Sequence, residues 1–159
     1  MEYAVIAELL RRGFDVYMTL VDDQQIDCIL RFGNNPPVYT DVQIKARSLQ
    51  AKNTGMFASM KVLKPRENFI FIFYDEEIDT HWVMSSLDLM QEGNTIKSGP
   101  NIGKVKISFA NKRVDGIWRT RPKFFEYEND FSRLIPNGCG WQQRNNGGGR
   151  YQRPTSATL

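Results

Sequence analysis

The sequence predicts an α/β domain with a central mixed β-sheet flanked by helices, and three observations carry that expectation. EYAVIAELLRR, residues 2–12, puts Glu2, Val5, Ile6, Leu9 and Leu10 on one helical face and stops at Gly13. Three strand-like runs follow between residues 14 and 46, separated by polar or turn-forming segments. FIFIFYD, residues 69–75, is a continuous apolar run of the kind buried on both faces of a sheet.

Each element has its own grounds. In the helix, Arg11 and Arg12 fall in the last turn, where cations meet the negative end of the helix dipole, and Glu8 lies off the apolar face. FDVYMTLV reads as a first strand, DDQQ as a polar connection and IDCILRF as a second strand. GNNPP is a turn, and VYTDVQIKA a third strand with Val38, Thr40, Val42 and Ile44 on one face and Tyr39, Asp41, Gln43 and Lys45 on the other. Residues 48–66 leave a short helix open, interrupted by Asn53-Thr54-Gly55. After FIFIFYD come a strand in HWVMSS, a short helix LDLMQE capped by Ser86, a loop GNTIKSGPN, a strand KVKISFA and a turn NKRVDG. KFFEYENDFSRLI, entered through Pro122, is expected as a closing helix. The domain is read as residues 1–136, and residues 137–159, rich in Gly, Asn, Gln and Arg, as a flexible tail.

At 159 residues, with 41% hydrophobic and 25% charged residues, the chain has enough apolar material for one real core. No apolar run approaches the ~20 residues of a membrane span, and the N-terminus lacks the basic-then-apolar layout of a signal peptide. The expectation is a cytoplasmic protein without a membrane partner. Two distant cysteines, Cys28 and Cys139, make neither a disulfide framework nor a zinc site. The single histidine, His81, beside Trp82 in a strand-like run, is read as structural.

The net charge of +3 is unevenly spread. The tail contributes Arg144, Arg150 and Arg153 and no acid; removing them from 21 basic residues leaves 18 against 18 acids. Residues 44–66 hold six basic residues and no acid, and residues 97–123 hold eight with Asp115 as the single acid. Acids gather at Asp22, Asp23 and Asp27 and again from Asp75 to Asp79. Such stretches are often only solvated faces; two basic segments beside an acidic cluster also suit a polyanion held against a metal site.

Asp27 opens the second strand, and Gln43 and Lys45 close the third. If the two strands pair as a meander, the three side chains meet at one end of the sheet, within reach of Glu2 on the inner face of the helix. Carboxylate and amide oxygens are hard ligands, suited to Mg²⁺ or Mn²⁺ and not to zinc. A divalent ion so held activates water toward a phosphodiester, and a lysine steadies the nucleophile or the developing charge. Spacing alone leaves the alternative open that Gln43 and Lys45 are the solvent face of an edge strand.

The stretch EYAVIAELLRRGFDVYMTLVDDQQIDCILRFGNNPPVYTDVQIKAR resembles the core of the PD-(D/E)XK, or restriction-endonuclease-like, nuclease superfamily. It is similar to the variant with glutamine before the lysine, as in Mrr-type restriction endonucleases, and shares its helix-then-meander plan with archaeal Holliday junction resolvases. The resemblance covers residues 2–47 and implies an αβββαβ core. It implies Glu2, Asp27 and Gln43 as ligands of Mg²⁺ (or Mn²⁺), with Lys45 completing the catalytic set. Position 43 carries no acid; Asp41, on the same face, is either an assisting ligand or a structural residue of the strand entrance.

The resemblance thus implies a Mg²⁺-dependent endonuclease of DNA, with a homodimer needed to cut both strands together. Lys52, Lys61, Lys64 and Arg66 are the candidate DNA-backbone contacts, being close in sequence to the site. An inactive nuclease-fold DNA-binding module and an RNA-directed nuclease are the alternatives.

Overall fold

A computed structural model describes residues 1–20, 25–49, 56–112 and 115–139. Lys52, Asp22, Asp23 and the tail arginines Arg144, Arg150 and Arg153 lie outside the described residues.

Helix α1 spans Glu2–Arg11 and buries Val5, Ile6 and Leu9. It ends in a Schellman arrangement. The Gly13 N–H donates to the Leu10 carbonyl and the Phe14 N–H to the Leu9 carbonyl, at 2.9 and 3.1 Å. Gly13 takes the left-handed conformation that this turn needs, at φ 86°. Leu10, expected on the apolar face, is exposed.

Strands β1 (Asp15–Met18), β2 (Cys28–Phe32), β3 (Val38–Arg47), β4 (Phe69–Asp75) and β5 (Thr80–Ser85) form one sheet in the order β1-β2-β3-β4-β5. Neighbours are antiparallel except β3 and β4, which run parallel with Gln43 opposite Phe71 and Lys45 opposite Phe73. The expected mixed sheet with flanking helices is therefore present. β1 is shorter than the apolar run FDVYMTLV, since its partner strand begins only at Cys28.

The connection from β3 to β4 has no helix among its described residues. Met60 and Val105 instead exchange backbone hydrogen bonds at 2.8 Å, and the Phe57 N–H donates to the Ile107 carbonyl at 3.1 Å. The described part of the crossover thus satisfies its backbone against a later segment of chain. That later segment holds α2 (Ser86–Glu92) and the short pairs β6–β7 (Asn94–Thr95, Val105–Lys106) and β8–β9 (Ala110–Lys112, Trp118–Thr120). The N-cap of α2 is Ser85, in a capping box with Asp88, one residue ahead of the Ser86 expected there. β8 takes Asn111 and Lys112 from the run NKRVDG that reads as a turn.

The closing helix expected over KFFEYENDFSRLI is two 3₁₀ helices, Pro122–Tyr127 and Phe131–Leu134. Between them the chain straps the edge of β5. The Asn129 N–H donates to the His81 carbonyl at 2.8 Å, and Asn129 Oδ1 accepts from the His81 N–H at 3.1 Å. A continuous α-helix would leave that strand edge uncovered.

The sheet separates two cores. On one side α1, Phe14, Phe131 and Leu134 cover Cys28, Leu30, Phe32, Val42, Ile44, Ile70, Ile72 and Val83. On the other side Phe57, Met60, Val105, Ile107, Phe109, Phe124 and Tyr127 cover Phe69, Phe71, Phe73, Trp82 and Met84. The second layer is an aromatic stack in which Trp82 and Phe109 lie 4.8 Å apart and nearly parallel. It covers β4 and β5 and reaches the end of β3, where Arg47 lies 5.8 Å over the Phe57 ring.

Candidate active site at the β2–β3 junction

Alternation along β3 points Val42 and Ile44 into the α1-side core and Gln43, Lys45 and Arg47 to the opposite face. Cys28 also belongs to the α1-side core, so alternation puts Asp27, one residue earlier, on the Gln43 and Lys45 side. Hydrogen bonds on both its backbone and its side chain locate Asp27. Its N–H donates to the Val42 carbonyl at 2.9 Å, its carbonyl accepts from the Thr19 N–H at 3.4 Å, and its carboxylate Oδ2 accepts from the Ile44 N–H at 2.5 Å. The carboxylate takes the place of the ladder bond that β2, starting at Cys28, does not supply. It is thereby held against the stretch of β3 bounded by Gln43 and Lys45.

Gln43 is 3% exposed, and its side-chain Oε1 is buried without a hydrogen-bond partner. An orphaned buried carbonyl oxygen costs roughly 1–3 kcal/mol, so its position calls for a donor or a cation. Lys45 is half-buried and makes no hydrogen bond or ion pair with a described residue. Next along the same face, Arg47 is 8% exposed and faces Asp75 of β4 at 3.4 Å. This buried pair lay in the sequence as a basic run and an acidic cluster, without a signal that joined them.

The first-helix acids are less close. α1 packs on the Val42 and Ile44 side of the sheet, whereas Gln43 and Lys45 leave from the other. Glu2 is exposed on the first turn, with no hydrogen bond or ion pair to a described residue. Glu8, expected to face solvent, is instead half-buried, at 2.7 Å from both Arg11 and Arg12. The hydrogen bond from Arg11 holds its carboxyl below the usual carboxylate range. Arg12 in turn stacks over Phe131, 3.9 Å from the ring centre, which draws Glu8 toward the core rim.

Asp41 accepts from Arg66, whose backbone N–H donates to the buried Ser86 hydroxyl at 2.7 Å. That assigns Asp41 to the structural role at the strand entrance. It also ties one candidate backbone contact, Arg66, into the fold, while Lys61 and Lys64 are exposed. Burial, with the Asp27 charge adding to it, pushes the Cys28 thiol up to about 12, which keeps it protonated and inert. His81 stacks on Tyr74 at 4.5 Å and is held below its ordinary pKa chiefly by burial, in line with a structural role.

Among the described residues, no three His, Cys, Asp or Glu side chains converge to hold a metal. What the site does offer is one carboxylate and one orphaned amide oxygen beside a lysine. That donor set fits Mg²⁺, which is commonly bound through one or two carboxylates and otherwise keeps water or substrate oxygens.

No protein-family model matches the chain, and no curated protein sequence matches it. In fold it is similar to the bacterial homing endonuclease I-Ssp6803I, with a TM-score of 0.50 over 80% of this chain and 82% of that chain, at 18% sequence identity. No helix among the described residues is long and apolar enough to cross a membrane.

Proposed function

We propose that this chain is a Mg²⁺-dependent (or Mn²⁺-dependent) endonuclease of DNA, of the PD-(D/E)XK kind in its glutamine-x-lysine form. The observation that carries the reading is the placement of the Asp27 carboxylate on the Ile44 N–H, between Gln43 and Lys45, with Gln43 Oε1 buried and lacking a partner. The fold shared with a homing endonuclease supports the nuclease class, and the residue pattern supports the subclass.

Asp27 and the amide oxygen of Gln43 would hold the ion, with Glu2 acting through water from the helix start. A bound divalent ion supplies charge neutralisation at the scissile phosphate and a more acidic water. Lys45 brings a cation onto the same face, where it orients the attacking oxygen and offsets the charge that grows on the phosphate oxygens. The backbone bond from Ile44 fixes the Asp27 carboxylate before substrate arrives, so orientation is built into the strand pairing. Lys61 and Lys64, and Lys52 beyond the described residues, would take phosphates along the backbone without reading sequence. One such site cuts one strand, so double-strand cleavage would use a homodimer.

The test is incubation of plasmid, linear and branched DNA with wild-type protein and Asp27→Asn, in Mg²⁺, Mn²⁺ and EDTA. Cleavage that needs the ion and is lost in Asp27→Asn is the expected result. DNA binding without cleavage on any substrate would leave a nuclease-fold binding module, and cleavage of RNA alone would move the substrate class.

A further inference from the structure

The aromatic layer that covers β4 and β5 leaves the same face of β1, β2 and the start of β3 open. Two cross-strand rows lie there, Tyr17–Ile29–Asp41 and Asp15–Arg31–Tyr39, in direct register. Tyr17, Ile29, Arg31, Tyr39 and Asp41 line a groove of about 480 Å³, with Tyr17 50% and Tyr39 47% exposed. That volume lies within the ~300–1,000 Å³ of ordinary ligand sites. The Arg31 guanidinium interacts chiefly with Tyr17, while its Nε is buried without a partner.

We propose that this groove is a stacking shelf for an unpaired nucleotide of the DNA strand that lies in the candidate site. The proposal rests on the nuclease reading above and adds a substrate feature to it, a single-stranded flank or gap beside the scissile phosphate. Continuity carries it. Ile29 and Arg31 stand two and four residues beyond Asp27 on β2, or ~7 and ~13 Å along the strand. At about 3.4 Å per base step, that is roughly two to four nucleotides from the cut.

Chemistry selects a base and not a phosphate. Both carboxylates in the rows face a guanidinium, Asp15 opposite Arg31 and Asp41 bound to Arg66, so the shelf is close to neutral. Two half-exposed phenol rings flanking a guanidinium plane are what a nucleobase stacks on, and bases within a duplex are not available for it. Contacts of this kind add affinity without releasing counterions, unlike Lys61 and Lys64.

The experiment measures binding in EDTA, where no cleavage occurs, for a blunt duplex and for the same duplex carrying a single-stranded flank. Wild-type protein is expected to prefer the flanked probe. Tyr17→Ala and Tyr39→Ala should each weaken its binding by about five- to 150-fold, leaving blunt-duplex affinity and the salt slope unchanged. Tyr17→Phe and Tyr39→Phe should keep the preference, since the ring is retained and these positions are half-exposed. Equal affinity of wild-type protein for both probes, an equal loss on both, or no loss overturns the shelf. So does a shift from dimer to monomer in Tyr17→Ala by sedimentation, which would make the face a self-association surface. A flank preference that survives in a protein showing no metal-dependent cleavage would sink the nuclease reading and leave the shelf standing; cleavage with indifferent shelf variants would do the reverse.

Discussion

The two halves of the sheet are built by opposite rules. β4 and β5 are covered on both sides, and their inward positions are Phe69, Phe71, Phe73, Trp82 and Met84, all nearly inaccessible. β1, β2 and the start of β3 are covered on one side only, by α1, Phe14, Phe131 and Leu134, and their other face carries Tyr17, Arg31, Tyr39 and Asp41. β3 belongs to both halves. Its α1-side residues are ordinary core, while its other face starts in the open at Tyr39 and runs beside β4 to the buried Gln43 and Arg47. Polar groups that would each be costly inside the aromatic layer sit one strand away from it, where water, a cation or a substrate can partner them. The dry half supplies rigidity to the strand that holds the candidate chemistry.

Breaking the dry half should have the largest effect. Trp82→Ala removes a fully buried indole stacked on Phe109, and by the usual cost of such truncations stability should fall by about 3–5 kcal/mol. Urea denaturation checks this, and a fall under 1 kcal/mol would mean that the aromatic layer is not the anchor of the sheet. On the open side, Lys45→Ala should leave the denaturation midpoint in place and slow single-turnover cleavage by about 10²-fold or more. DNA affinity should change little. A variant that cuts at the wild-type rate would remove Lys45 from the site while leaving the fold untouched.

Gln43→Met sharpens the contrast, because it exchanges an orphaned buried amide for an apolar chain of similar shape. The variant should gain stability, by roughly 1–3 kcal/mol, and lose metal-dependent cleavage. Stability unchanged or lowered would show that the amide already has a partner in solution. The smallest effect is expected at His81, which stacks on Tyr74 and packs against the tilted ring of Phe131 at the strapped edge. Its pKa is lowered by burial from 6.5, so the unfolded chain takes up a proton before the folded one does. The stability this residue contributes is therefore complete above pH ~6.5 and is lost as pH falls through its lower folded value. Denaturation midpoints measured between pH 5 and 8 should slope less in His81→Phe than in wild type; parallel curves would exclude the histidine as the cause.

Much of this molecule is readable from local pattern. The 3.6-residue periodicity of residues 2–12 and the glycine after it specify α1, and alternation in VYTDVQIKA already separates Val42 and Ile44 from Gln43 and Lys45. The continuous run FIFIFYD marks the strand buried on both sides. Local pattern misled where a segment's structure answers to distant partners. KFFEYENDFSRLI has helical apolar spacing, yet Asn129 binds the His81 backbone and breaks it into two 3₁₀ helices that serve different cores. Glu8 and Arg66 read as surface charges, and only the positions of Phe131, Arg12, Asp41 and Ser86 determine that they are engaged.

The candidate site divides along the same line. By itself the sequence determined that Asp27, Gln43 and Lys45 belong near two adjacent strand ends, because alternation and the GNNPP turn are local properties of the backbone. Tertiary structure alone decided the rest. It put the Asp27 carboxylate on the Ile44 N–H, left Gln43 Oε1 orphaned beneath the surface, joined Arg47 to Asp75, and aligned Tyr17, Arg31 and Tyr39 across three strands. These depend on inter-strand register and on where the second layer of the protein ends, and neither is written in the periodicity of any one segment.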